Sequence, residues 1–364
     1  MKHVRLLCLL CLAAVGTQAQ NNALSVFCSG GGGFTGTNIQ QSWTMGEPIT
    51  ESVFGQSVGL TQGFQQNLMS RTLSGTVRYD NSLLTPMDNT AVLLKEGSVV
   101  EAQTETDING QFSFTNITPG SYTLTAQSSK PWGGAASIDA LMVVKHFAGL
   151  IPLEGIRLLA GDVNASGGVN TVDALLISRR FVGLIFSFAA GDWCFEQHNV
   201  LLNANDNVVD NFKALCYGDV NGSYTPNAGK IAPTLRQVND QVIQSKPGEK
   251  LEIPVIARDE MEVAAISLVI LYPEDVLHIE SVSTGADDEN LVYRAFGGEL
   301  RIAWHSLSPR MLKEGDVLLK IRAAYTGLPG HIKGAQAELG PESNLGDFNG
   351  NVLHGKRLEI PGVV

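Results

Sequence analysis

Apolar residues follow two rhythms along this chain. In residues 71–128 and 237–364 they recur at every second position, in runs such as GTVRY, GQFSFTNI, GSYTLTAQ, LEIPV and VLLKIRAAY, bounded by Gly, Asn, Asp and Pro. Side chains that alternate between two faces mark half-buried strands, so both stretches predict β-structure. Leu251, Ile253 and Val255 fall on one strand face, and Leu268, Ile270 and Tyr272 form a second such row. Helical spacing is confined to 137–149 and 171–183. There Leu141, Val144, Phe147 and Ala148 are mirrored by Leu175, Ser178, Phe181 and Val182, and the two faces are expected to pack together. Gly149 and Gly183 stand where helices stop.

The two helical stretches are copies. Residues 133–151 and 167–185 share nine of nineteen aligned positions at a spacing of 34. Just ahead of the second helix runs DVNASGGVNTVD, from Asp162 to Asp173. Asp162, Asn164, Ser166, Asn170 and Asp173 occupy positions 1, 3, 5, 9 and 12 of a calcium loop; Gly167 takes the turn at position 6, and Gly168 offers its carbonyl at position 7. Ca²⁺ takes six to eight hard oxygens from such a loop. Position 12 here is Asp, where an EF-hand carries a bidentate Glu. In the first copy Asp139 keeps position 12, but Ser128, Lys130, Trp132 and Ala136 stand at the other ligand positions. The phrase GDVNGSY at 218–224 repeats the opening of the loop, with Asp219, Asn221 and Ser223 at positions 1, 3 and 5 and no acid at position 12. A plain Asx turn is the favoured reading. The alternative is that this piece, or Asp192, completes the damaged first site with Asp139.

A calcium loop followed by a helix, repeated in this way, resembles the dockerin module, here spanning residues 129–193. The resemblance implies two loop–helix units about a pseudo-twofold axis, structural Ca²⁺, and calcium-dependent docking to cohesins. Ser137-Ile138 and Thr171-Val172 match the helix-start pairs that dockerins present to a partner, although they are less polar than is usual. Lys145-His146 and Arg179-Arg180 occupy matching positions and are expected to form one basic face. Either they are solvated tips or Lys145, Arg179 and Arg180 contact the partner. The phrase TDINGQFSFTNITPGSYTLTA resembles the carboxypeptidase-regulatory-like, transthyretin-type sandwich, which implies a core of Phe112, Phe114 and Tyr122 and a turn role for Asp107 and Asn109. The order PGEKLEIPV, AAISLVILYPEDVLHIESV, AWHSL and EGDVLLKIR in residues 237–364 resembles a cohesin-like jelly-roll sandwich, a fold shared with carbohydrate-binding modules.

The fold class expected is therefore mainly β and multi-domain, with two sandwiches flanking a small helical calcium module. The domains are a signal peptide at 1–19, a β appendage at 20–70, a sandwich at 71–128, the helical pair at 129–193, a connector at 194–236 and the second sandwich at 237–364. The start MKHVRLLCLLCLAAVGTQA has a basic end, an apolar run and small residues before the cleavage point, which implies secretion to the extracellular side or cell surface. No later apolar run is long enough to span a membrane. Beyond the leader remain Cys28, Cys194 and Cys216. A Cys194–Cys216 bridge and buried free thiols are both compatible with that count. A net charge of −11 offers no basic stripe for nucleic acid. The seven histidines form no HExxH or other close ligand set, and no GxSxG elbow occurs. Trp304 beside His305 reads as strand core in preference to a sugar platform. These observations lead to a secreted, non-catalytic adaptor that assembles with dockerin- or cohesin-bearing proteins, itself included, in the setting of polysaccharide breakdown. The alternative is a cell-surface protein whose sandwich binds glycans.

Overall fold

The computed structural model describes residues 72–203, 207–226, 234–285, 288–326 and 335–364, with the backbone of four short strands ahead of them. The leader at 1–19, Cys28 and the side chains of the 20–70 appendage lie outside the described residues. In the upstream stretch β1 (Gly30–Thr35) pairs antiparallel with β2 (Gln40–Met45), and β3 (Val53–Phe54) with β4 (Gly59–Leu60).

The first sandwich begins with β5 (Thr72–Tyr79), β6 (Ala91–Glu96), β7 (Val99–Glu105), β8 (Gln111–Thr115) and β9 (Gly120–Gln127). Three helices follow: α1 (Ser137–Phe147), α2 (Gly155–Gly161) and α3 (Thr171–Phe181). Then come β10 (Trp193–Phe195), β11 (His198–Leu202), β12 (Val208–Val209) and β13 (Phe212–Cys216). One sheet has the order β10-β13-β5-β12, with β8 also on β5; the other runs β11-β9-β6-β7. Residues 194–236, expected as a connector, thus supply strands to this sandwich. β13 and β12 lie parallel to β5, with Phe212 opposite Val77 and Val208 opposite Leu73. Parallel neighbours require a long crossover, and the helical module sits inside one. β5 buries every second residue, among them Leu73, Val77 and Tyr79. Phe112, Phe114 and Tyr122 are buried as expected, and Phe112 meets Phe212 at 5.8 Å between ring centroids. Asp107 makes the expected turn, its Oδ1 accepting from the N–H groups of Asn109 and Gln111.

Cys194 and Cys216 are free, buried thiols. Cys194 lies opposite Leu215 and Cys216 opposite Trp193, so alternation sends the two sulfurs to opposite faces of the sheet. Burial pushes both thiols well up, Cys216 to about 12. Of the two readings open in the sequence, the free-thiol one holds.

Asp80 ties the helical module to this sandwich. Its carboxylate accepts from Arg157 Nε of α2 at 2.8 Å and from Lys213 Nζ of β13 at 2.8 Å. Burial pushes its pKa up, but the bonds from Lys213 and Arg157 outweigh this and hold it below the usual carboxylate range. A carboxyl with a depressed folded pKa stabilises above its unfolded value, about 3.9, and that stability is lost as pH falls through the folded value. Asp80→Asn is expected to cost about 1–3 kcal/mol at neutral pH, with the gap to the parent shrinking in acid. Urea melts at pH 7 and pH 3 check this; an equal gap at both would refute it.

The second sandwich comprises β14 (Arg236–Val238), β15 (Val242–Ile243), β16 (Lys250–Ala257), β17 (Met261–Leu271), β18 (Leu277–Ser283), β19 (Val292–Phe296), β20 (Glu299–Leu312), β21 (Val317–Tyr325), β22 (Glu338–Leu339), β23 (Asn344–Gly346), β24 (Arg357–Glu359) and β25 (Gly362–Val363). Its sheets have the orders β14-β24-β16-β21-β18 and β19-β20-β17-β22, with β23 also on β17 and β15 pairing β25. The core contains Ile253, Val255, Leu268, Ile270 and Tyr272 from the two predicted rows, with Leu251 packed at its edge. Trp304 is fully buried in it, which leaves no ring face for a sugar. β17 is buried along nearly its whole length, on both faces. Its inner face meets the core, and its outer face is covered by α1.

Candidate metal centres and docking face

Asp162 Oδ1 accepts from Ser166 N–H at 2.9 Å and Oδ2 from Gly167 N–H at 2.8 Å. Asn164 Oδ1 accepts from the same Ser166 N–H, while Asn164 N–H donates to Asp173 Oδ1 at 3.3 Å. The Ser166 hydroxyl reaches the Gly168 carbonyl at 3.2 Å. Asp173 Oδ2 accepts from Asn170 N–H at 3.0 Å, and Asn170 caps α3 by accepting from Val172 N–H at 2.8 Å. These hydrogen bonds link Asp162, Asn164, Ser166, Gly168, Asn170 and Asp173 within one loop.

The same set of contacts recurs at Asp139, built from two distant pieces of chain. Asp219 Oδ1 accepts from Ser223 N–H at 2.9 Å and Oδ2 from Tyr224 N–H at 3.1 Å. Asn221 Oδ1 accepts from Ser223 N–H, and Asn221 N–H donates to Asp139 Oδ1 at 3.0 Å, across 82 residues of sequence. The Ser223 hydroxyl reaches the Gly134 carbonyl at 3.2 Å, and Asp139 Oδ2 accepts from Ala136 N–H at 2.9 Å. Asp219, Asn221, Ser223, the Gly134 carbonyl and Asp139 thus repeat positions 1, 3, 5, 7 and 12, with Ala136 replacing Asn170. The fourth residue is left-handed in both, Ala165 at φ 55° and Gly222 at φ 67°. Gly134 lies at φ 91°, and a Cβ there would stand 2.5 Å from Asp219 Cγ, so only glycine lets the two pieces close.

Asp139 and Asp219 are fully buried beside one another. Burial raises the pKa of both, and the Asp219 charge raises that of Asp139 further. Burial also raises Asp173. Tyr79 Oη donates to Asp219 Oδ2 at 2.5 Å and accepts from Cys216 N–H, and burial pushes its pKa up. Among the described residues, no lysine or arginine forms an ion pair with Asp139, Asp162, Asp173 or Asp219. Each cage offers two carboxylates and a set of neutral oxygens. That donor set fits a hard divalent cation, whose charge two carboxylates balance.

Both helices end in the same way. Gly149 and Gly183 are left-handed, and the next residue donates back five positions, Leu150 to Lys145 O and Leu184 to Arg179 O. α1 and α3 pack against each other, with Ala140, Val143, Ala174 and Ile177 buried. The face expected to join them goes elsewhere. Leu141 packs on the second sandwich, while Leu175 and Phe147 are exposed.

The start of α1 is seated on the second sandwich. Ser137 Oγ donates to Ile266 O at 2.6 Å, and Ser137 N–H donates to Ser267 Oγ at 2.8 Å. Ile138 and Leu141 cluster with Ala264 and Ala265, flanked by Phe348 and Val352. Lys145 Nζ donates to Phe348 O at 2.5 Å and stands 4.1 Å from the centre of that ring. Phe181 and Val182, at the end of α3, pack with Val269 and Ala303. Arg301 Nη1 donates to Phe181 O and Arg294 Nη1 to Gly183 O, placing cations at the negative end of the helix.

The expected basic face does not form. Lys145 is buried in the sandwich contact. Arg180 is buried too, 3.5 Å above the Trp132 ring and bonded to Asp192 at 2.5 Å. Long basic side chains cover apolar surface with their stems, so helical spacing alone did not reveal their burial. Asp192 is thereby engaged away from Asp139. Arg179, Thr171 and Val172 are exposed.

Residues 135–182 match the family model of the dockerin type I domain, and residues 71–137 that of the second beta sandwich domain of the BOS complex subunit NOMO1-like family. No curated protein matches the chain. Similar solved structures are cohesin modules and cohesin–dockerin complexes. They include the sixth cohesin of Acetivibrio cellulolyticus scaffoldin B in complex with a Cel5 dockerin (13% identity, 34% of this chain and 95% of that one, TM-score 0.29). A non-cellulosomal cohesin of the archaeon Archaeoglobus fulgidus (19%, 36% and 92%, TM-score 0.28) and a cohesin module from a Clostridium perfringens family 33 glycoside hydrolase (15%, 35% and 94%, TM-score 0.25) are similar as well.

Proposed function

We propose that this chain is a non-catalytic, calcium-braced assembly protein that acts on the extracellular side, with a dockerin-type helical module docked in cis on its own C-terminal sandwich. Polysaccharide breakdown is the setting that the dockerin resemblance implies. The reading is carried by the repetition of one set of oxygen contacts, once in a continuous loop and once from two pieces, each with a pair of carboxylates that no lysine or arginine among the described residues pairs with. Asp162, Asn164, Ser166, Gly168, Asn170 and Asp173 hold one Ca²⁺. Asp219, Asn221, Ser223, Gly134 and Asp139 hold the other. The bound ion supplies the positive charge that two buried carboxylates need, and the chain's own residues do the rest. The first cage fixes the start of α3; the second staples the start of α1 to the strand region after β13. With its start fixed, α1 presents Ser137, Ile138 and Lys145 to the sandwich as a rigid face.

Calorimetric titration of the chelated full chain with Ca²⁺ tests this. Two ions per chain are expected, with a rise in melting temperature. At one hundred times Kd each independent site stabilises by roughly 2.7 kcal/mol. A stoichiometry of one removes the split cage, and no binding removes the reading.

A further inference from the structure

Trp304 has no ring face to offer a ligand, but two other rings do. Phe186 and Phe296 are 81% and 69% exposed, the two most exposed aromatic side chains among the described residues, and both line one surface groove of about 410 Å³. The outer face of the second sandwich builds one wall. Alternation along β19 places Val292, Arg294 and Phe296 on that face, opposite Ala303, Arg301 and Glu299 of β20. Val292 and Ala303 pack with Phe181 and Val182 at the end of α3. Beyond them the cover stops, and Arg294, Phe296, Glu299 and Arg301 line the groove. The chain leaving α3 through Gly183 and Phe186 builds the other wall. The helical repeat does not require a ring there, since the first copy carries Pro152 where the second carries Phe186.

The groove also holds a cation with charge to spare. Arg301 is engaged by Glu299 and Glu342, whereas Arg294 has no acidic partner among the described residues. Arg294 Nη1 donates to Gly183 O at 2.5 Å, and its guanidinium carbon stands 4.7 Å from the centre of the Phe296 ring. Its other N–H groups are left for a ligand, and a guanidinium held in this way matches a carboxylate in a two-pronged contact. A ligand here therefore presents a carboxylate to Arg294 and a flat apolar face to the rings, and keeps its far side in water. The main-chain groups of β19 and β20 pair with each other in the plane of the sheet, so this face offers a peptide strand no ladder to join. A sugar acid meets all three demands, with C–H groups on its ring face, hydroxyls at its rim and a carboxylate at one end. We propose that this groove binds an acidic saccharide chain, with a uronic acid carboxylate on Arg294 and sugar C–H faces on Phe186 and Phe296. The groove needs only the contact of α3 with β19 and β20, and stands apart from the calcium cages and from assembly.

Calorimetric titration of the full chain with oligosaccharides of galacturonic, glucuronic, mannuronic and guluronic acid tests this. At least one is expected to bind, and its counterpart with the carboxyls reduced to alcohols is expected to bind about tenfold more weakly or worse. Phe186→Ala and Arg294→Lys are each expected to weaken binding by about tenfold or more. Phe186 is exposed, so its removal should leave the melting temperature unchanged. Arg294→Lys keeps the charge, so its loss of affinity reports the two-pronged contact. If Phe186→Ala lowers the melting temperature, Phe296→Ala on the other wall replaces it, with the same outcomes decisive. The proposal is overturned if none of the four acids binds, if the reduced form binds equally well, or if binding is indifferent to either substitution. Tighter binding of oligoglutamate through the same residues overturns it as well, in favour of an acidic peptide.

Discussion

Asp219→Ala is expected to reduce the calcium held by the full chain from two ions to one and to loosen α1 while leaving α3 in place. The substitution removes one of the two carboxylates of the split cage, together with both Asx contacts that shape residues 219–224. Without the ion, Asp139 is left buried with nothing to neutralise it, an arrangement that costs several kcal/mol unless the group protonates. The remaining ion should titrate as it does in the parent, because Asp162 and Asp173 belong to the other loop. Asp162→Ala is the mirror experiment: it should also leave one ion, with faster amide exchange at α3 instead of α1. Two controls isolate the cause. Tyr79→Phe removes only the hydroxyl donated to Asp219 and should retain both ions while costing about 1–3 kcal/mol. Gly134→Ala keeps every ligand oxygen but drives a methyl into the Asp219 carboxylate, and should abolish the same ion that Asp219→Ala does. If Asp219→Ala still binds two ions, residues 219–223 are a turn and nothing more.

The continuous loop was legible in the sequence because all its oxygen-bearing residues lie within twelve residues, at the spacing of a calcium loop. The split cage used the same residue types in the same order, DVNGS against DVNAS. However, Asp219 follows Asp139 where Asp162 precedes Asp173, and a linear pattern search expects order as well as composition. The residue missing from position 12 after Ser223 and the residues missing from positions 1, 3 and 5 before Asp139 were two halves of one gap. Their closure depends on the crossover that returns the chain to β13, beside β5. That crossover was hidden because β10 to β13 are short strands and the segments that join them are rich in Asn. The burial of Lys145 and Arg180 was hidden for another reason: an ammonium beside a carbonyl and a guanidinium over Trp132 need tertiary partners that no helical spacing announces. One clue was present. The run AAISLVIL in β17 lacks the polar alternation of a strand with one wet face, and a strand apolar on both faces asks for a cover on each. Ala264, Ala265 and Val269 are the outward residues that α1 and α3 cover.

Gly346→Ala is expected to break that cover from the sandwich side. A Cβ at residue 346 would stand 2.5 Å from Ile138 Cγ1 and 3.3 Å from Ala265 Cβ, so the methyl has no space unless α1 lifts. Overpacking of this kind costs about 1–3 kcal/mol, and the strain falls on the docking contact and not on the sandwich core, since Gly346 faces the helix. Amide exchange should therefore quicken at the outer groups of β17 and at the start of α1, with the core strands β16 and β21 unaffected. Ile138→Ala alone should cost about 2–5 kcal/mol through the cavity it leaves. Together the two should cost less than their sum, because the new methyl fills part of the space that Ile138 vacates. A double-mutant cycle by urea denaturation reads the coupling directly. Contacting residues give interaction energies of about 0.5–3 kcal/mol, whereas independent sites add to within about 0.5 kcal/mol. Additivity here would mean that Ile138 and Gly346 do not meet in solution, and that the helical module does not rest on its own sandwich.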